Sequence, residues 1–236
     1  MSRDIPIIFG AAMVQALLAD RKSMTRRLAW RNEHDECISE SELQKLQSRG
    51  WDAIDGDGDS VTLAKRSAWQ EVKIGDRLWV RESVQAEPDA DGWDGVRYRA
   101  DKKWIGSTAD NANEADRFLA LYHYGKKRGV GVPSIHMPRW ASRLTLIVTV
   151  VKIERLQDIT EADSIAEGVV EDDGSEPDIF YVPGASLHHA DKASKVFRYL
   201  WESINGLDSW TANPEIVALS FRVIQANIDT LEATSA

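Results

Sequence analysis

Ala11–Arg27 reads AAMVQALLADRKSMTRR, and the two halves of this stretch obey different rules. In the first half Val14, Leu17 and Leu18 stand at i, i+3 and i+4, the spacing that puts apolar side chains on one helix face. In the second half Arg21, Lys22, Arg26 and Arg27 bring four cations with no acid, and Ser23 and Thr25 lie among them. If the helix continued, Lys22 and Thr25, three apart, would be neighbours on one turn. An amine beside a hydroxyl in a positive pocket is what an activated nucleophile needs. The plainer alternative is a helix C-terminus whose basic residues face its negative dipole end.

Composition narrows the classes. The 236 residues carry a formal charge of −9, which argues against a protein that coats nucleic acid through phosphate contacts alone. A small basic pocket on an acidic body stays open, because the charges are segregated. Acids cluster at 33–42, 52–59, 110–116 and 167–178; cations cluster at 21–31 and 126–128, with Arg139 and Arg143 beyond. A single cysteine, Cys37, forbids an internal disulfide and points to a reducing compartment. No apolar run approaches the roughly 20 residues of a membrane span, and the N-terminus has no leader-like apolar core. The expectation is a cytoplasmic protein with no membrane association.

Outward from the opening stretch, Ile5–Phe9 reads as a buried strand before the Ala11–Asp20 helix. Lys73–Glu82 (KIGDRLWVRE) is the clearest strand: Gly75-Asp76 turns, then Leu78 and Val80 alternate with Arg77, Trp79 and Arg81. Val96–Ala100 reads as its hairpin partner, and Asn113–Leu121 as a helix. Pro133–Trp140 is a compact loop with two prolines, and Ser142–Leu156 a long branched β run. Thr160-Glu-Ala-Asp163 is a capping box that opens a short helix stopped by Gly168. Asp191–Ile204 is amphipathic, with Val196, Leu200 and Ile204 in register, and Ile216–Ile224 is the last strand. Ser39 opens a possible short helix, and Val61–Leu63 a short strand. Asp55–Ser60 (DGDGDS) lacks the Glu an EF-hand needs at its twelfth position, where Arg66 stands, so it reads as a turn. His188-His189 lacks ligand partners at metal spacing, and Cys37 has no evident base, so no metal or cofactor is expected.

Strands throughout, with helices between them, predict an α+β fold. It would form one mixed, barrel-like domain over 1–226 with polar inserts near 31–70, 89–113 and 171–191, and a flexible tail at 227–236.

Lys22-x-x-Thr25-x-Arg27 after a helix, followed by Gly75-Asp-Arg-Leu-Trp-Val-Arg-Glu82, resembles the ASCH domain, a branch of the PUA-like β-barrels. Pro133–Val148, Asp158–Val169 and Trp201–Pro214 resemble the longer ASCH proteins of phages and prophages. The resemblance implies binding of RNA or of a modified nucleoside, with a modified DNA base as a variant. Some small members remove the acetyl group from N4-acetylcytidine with a Lys, a Thr and a Glu, and a ribonuclease role has been attached to others. Carried over by motif, the amidohydrolase residues are Lys22, Thr25 and Glu82.

In that chemistry Thr25 is the nucleophile, a neutral Lys22 its base, and Glu82 holds the substrate base and passes a proton to the leaving amine. Arg26, Arg81, His136, Arg139 and Trp79 are the candidate substrate contacts, Trp140 a possible stacking wall or a core residue. The alternatives are a Lys22–Glu82 salt bridge that is structural only, a binding module without turnover, and a phage accessory protein whose partner is another protein.

Overall fold

In the computed structural model the described residues are 2–31, 38, 39, 41, 44, 65–106, 112–172 and 178–233. The fold is mixed α/β, mostly sheet with few helices. β1 (Asp4–Ile8) leads into the helix Ala11–Leu18, followed by β2 (Met24–Leu28) and β3 (Trp30–Arg31). Next come β4 (Lys65–Arg66), β5 (Arg77–Arg81), β6 (Val84–Ala86), β7 (Gly95–Tyr98), β8 (Trp104–Gly106) and the helix Ala112–Tyr122. β9 (Gly131–Val132), β10 (Thr145–Arg155), the short helix Glu161–Ala166, β11 (Val170–Glu171) and β12 (Phe180–Tyr181) follow. The helix Ala193–Asn205, β13 (Glu215–Ile224) and a last helical turn, Thr230–Ala233, complete the order. The turn expected at Asp55–Ser60, the strand at Val61–Leu63, most of the helix expected from Ser39, and Cys37 lie outside the described residues.

The chain divides into two compact units, each made of separated segments. The first comprises Met1–Asp20, Asp76–Ile147 and Val223–Ala236; the second comprises Arg21–Gly75 and Val148–Arg222.

In the first unit β5 lies between β1, which it meets in parallel (Asp4↔Arg77 to Ile8↔Arg81), and the start of β10, antiparallel (Thr145↔Trp79 to Ile147↔Arg77). Leu78, Trp79 and Val80 are consecutive and all buried, so both faces of β5 are covered. The alternation expected of a half-buried strand is therefore absent: this is the continuous apolar run of a central strand. Nor is Val96–Ala100 the partner of β5. β7 pairs with β6 (Val84↔Tyr98, Ala86↔Val96) in a separate sheet of order β8-β7-β6-β9. Both flanks of β5 are already taken, and the chain starts a new strand only at Val84. Phe118, Leu121 and Tyr122 of the helix Ala112–Tyr122, at i, i+3 and i+4, pack on this second sheet with Val84, Val96, Tyr98 and Val132.

Asn227 and Ile228, at the start of the tail expected over 227–236, are tied down. Ile228 is buried, and Asn227 Nδ2 donates to the carbonyls of Arg139 (3.0 Å), Trp140 (3.2 Å) and Ser142 (2.7 Å).

In the second unit the rest of β10, β13 and β2 lie in that order. β2 pairs antiparallel with β13, from Ile216↔Leu28 to Ser220↔Met24. This corrects the helical reading of the basic motif. The helix ends at Leu18, Asp20 takes a left-handed conformation (φ 53°), which Asp tolerates through its short polar side chain, and Met24–Leu28 is strand. The Thr160 capping box forms as expected: Thr160 Oγ1 accepts from the Asp163 N–H at 3.1 Å, and Asp163 Oδ2 from the Thr160 N–H at 3.2 Å. The helix Ala193–Asn205 buries Val196, Phe197 and Trp201, and ends at Gly206, whose φ of +95° suits a residue without Cβ.

Candidate functional site

Lys22 is 2% exposed. Its Nζ donates to Glu167 Oε2 at 2.6 Å and to the Glu167 carbonyl at 2.8 Å. Glu167 stands just beyond the helix Glu161–Ala166, which the capping box positions. Arg26, also buried, lies against the same acid: its Nη1 is 3.4 Å from Glu167 Oε1, and its Nη2 is 2.8 Å from Glu154 Oε1 and 3.2 Å from Asp163 Oδ2. The guanidinium also sits 5.8 Å over the Phe197 ring. Two cations thus share three carboxylates, a cluster the expected Lys22–Thr25 turn did not foresee.

Burial displaces the Lys22 amine below the ordinary lysine range, because the charged form loses its water; the Glu167 carboxylate pulls it back in part, and Arg27 and Arg26 add to the lowering. Asp163 moves the other way from its own burial: hydrogen bonds from Thr160 and the nearby Arg26 charge outweigh desolvation and hold it below the usual carboxylate range.

Thr25 is buried on β2, one position before Arg26. Consecutive strand side chains leave opposite faces. Since Arg26 and Lys22 both reach Glu167, Thr25 issues from the other side of β2.

Glu82 belongs to the first unit, where Arg143 binds it in a fork: Nε to Oε1 at 2.8 Å and Nη2 to Oε2 at 2.9 Å. The same guanidinium reaches Asp101 at 2.8 and 3.1 Å and lies 3.9 Å over the Tyr98 ring. Burial pushes the Glu82 carboxyl up; the Arg143 hydrogen bonds and charge pull against it, and Asp101 adds to the rise. Arg143 is itself pushed down by burial, but its bonds to Glu82 and Asp101 prevail and leave it raised.

The candidate contacts divide as follows. Arg26 is enclosed in the ion cluster above. Arg139 is committed to Asp4 (2.5 Å) and Asp229 (2.6 Å). Arg81 donates to the Ile135 carbonyl and lies 5.3 Å over the Trp79 ring, while its Nε is buried with no hydrogen-bond acceptor among the described residues. Trp79 is buried in the first unit's core. His136 is exposed, its ring 5.5 Å from that of Tyr124. Trp140 is half-buried, packed on the second sheet's core and lining a cavity, so it serves partly as core and partly as wall. His188 and His189 rest on Tyr199 and Tyr181.

Sequence reasoning missed Glu167, Glu154, Arg143 and Asp101. One signal was present: Asp163 and Glu167 are four apart at a helix end, the spacing at which two acids share a face, opposite a basic motif that lacked counter-charges. Among the described residues no group of three or more His, Cys, Asp or Glu converges as a metal site, and no helix is long and apolar enough to cross a membrane. Set against protein-family models, curated proteins and solved structures, the chain matches none.

Proposed function

We propose that the chain is an ASCH-type protein of the PUA-like class that takes a modified nucleoside or RNA, and that Lys22 is the group on which its chemistry turns. One observation supports this reading above the others: a lysine amine enclosed in the second unit with its pKa displaced downward, at the motif position of the amidohydrolase lysine. In its neutral form that amine carries a nitrogen lone pair, the acceptor a general base needs.

In the hydrolytic form the Thr25 hydroxyl gives its proton to the Lys22 lone pair as Oγ1 bonds to the acyl carbon of an N4-acylated cytosine. The carbon–nitrogen bond breaks, and the departing amine takes that proton. Water then splits the threonine ester, releasing the carboxylic acid and restoring the hydroxyl. The first step needs Thr25 within reach of the amine, directly or through one water.

A second reading, binding without turnover, is favoured by β2, which turns Thr25 to the face opposite Arg26, and by the fork that occupies Glu82.

Release of acetate from N4-acetylcytidine decides between them. Hydrolysis predicts turnover that falls about 100-fold or more in Lys22→Met and in Thr25→Val. Binding alone predicts no acetate, but RNA retention that weakens with salt and further when Lys126, Lys127 and Arg128, an exposed basic loop, become Gln. A protein with neither behaviour refutes both.

A further inference from the structure

The first unit holds a cavity of about 370 Å³ that the motif residues do not line. That volume falls in the range of small-molecule sites, about 300–1,000 Å³. Its walls include three aromatic rings from three parts of the chain: Tyr98 on β7, Phe118 on the helix Ala112–Tyr122, and Trp140 in the turn after Pro138. The walls are braced. Tyr98 Oη donates to the Ala141 carbonyl at 2.8 Å, and the three Asn227 bonds hold the backbone on both sides of Trp140.

Two charged side chains complete the lining, Arg117 and Asp229. Asp229 is neutralised by Arg139 at 2.6 Å. Arg117 is exposed and makes no ion pair among the described residues. The cavity therefore combines flat apolar walls with one unspent guanidinium.

We infer that this cavity is a binding site for a planar aromatic ring carrying an anionic group, the ring against Trp140 and Phe118 and the anion on Arg117. Aromatic walls favour offset or edge contacts with a flat ring, and a guanidinium forks onto carboxylate or phosphate. A nucleotide and an aryl carboxylate share that chemistry. The cavity belongs to the first unit and Lys22 to the second, and the inference holds whether or not Lys22 reacts.

Calorimetric titration of the full chain tests it with three probes: adenosine 5′-monophosphate, uncharged adenosine and indole-3-acetate. At least one anionic probe should bind, and which one does assigns the source of the ring. Trp140→Leu should weaken that probe about tenfold, with Trp140→Phe restoring most of the loss. Arg117→Gln should weaken the anionic probe about tenfold and adenosine hardly at all. Lys22→Met should leave every affinity unchanged. The inference is overturned if neither anionic probe binds, if binding ignores both Trp140 and Arg117, or if it follows Lys22 instead.

Discussion

Each unit buries one cluster of mixed charges, and the two clusters strain opposite partners. In the second unit Lys22 and Arg26 face Glu154, Asp163 and Glu167; in the first, Arg143 alone faces Glu82 and Asp101. Among the ion-paired groups acids outnumber cations by one in both, although the Arg27 charge also acts on Lys22 and Glu167 in the second. Yet in the first unit the displaced group is a carboxyl, Glu82, pushed up, whereas in the second it is an amine, Lys22, pushed down. The difference follows from redundancy. Burial strips water from Lys22, Glu167 is shared with Arg26, and Arg27 and Arg26 add like charge, so the proton at risk is the one on the amine. Glu82 must share its single guanidinium with Asp101, so the acid bears the desolvation.

Redundancy also ranks the damage from losing a cation. Arg143→Met leaves Glu82 buried and unpaired, and should cost about 3–5 kcal/mol in urea unfolding, the usual penalty for an orphaned buried charge. Lys22→Met leaves Glu167 beside Arg26, and should cost roughly 1–3 kcal/mol. Equal losses in the two variants would break the argument from redundancy.

The pH dependence of stability sharpens the contrast, because the signs oppose. Lys22 has a folded pKa below its unfolded value of 10.5, so between the two the unfolded chain binds more protons and stability rises with pH. Lys22→Met should remove that rise. Glu82 has a folded pKa above its unfolded 4.5, so the folded chain binds more protons between them and stability falls as pH rises through that window. Glu82→Gln should remove the fall. Urea midpoints of the two variants and the parent across both windows measure this; a parallel pH profile for parent and variant would mean the named group is not the one displaced.

What the sequence disclosed, and what it hid, follows the range of the interactions. The helix Ala193–Asn205 and the Thr160 box were legible because their signals lie within one or two turns. The Lys22–Thr25 spacing was ambiguous in kind: i, i+3 makes neighbours on a helix, whereas pairing with β13, almost 200 residues on, makes Met24–Leu28 a strand that holds Thr25 and leaves Lys22 ahead of it. Glu167 was hidden for the same reason, lying 145 positions from Lys22. Val96–Ala100 reads from sequence as the hairpin partner of β5, whereas pairing with β1 and β10 leaves β5 no free edge. Asn227 looked like tail because one amide anchoring three carbonyls leaves no periodic trace.

The smallest expected effect bears on how the second cluster is held. Thr160 hydrogen-bonds to Asp163 and Ser164, and its capping box fixes the helix that delivers Asp163, which pairs with Arg26, and leads on to Glu167. Thr160→Ala should cost about 1 kcal/mol, the ordinary worth of a cap. Thr160→Ser keeps the oxygen and should lie close to the parent. If the box also positions the acids, Thr160→Ala should move the rise assigned to Lys22, and Thr160→Ser should not. A cap that merely stabilises the helix would lower stability evenly at every pH, and the shape of the profile separates the two.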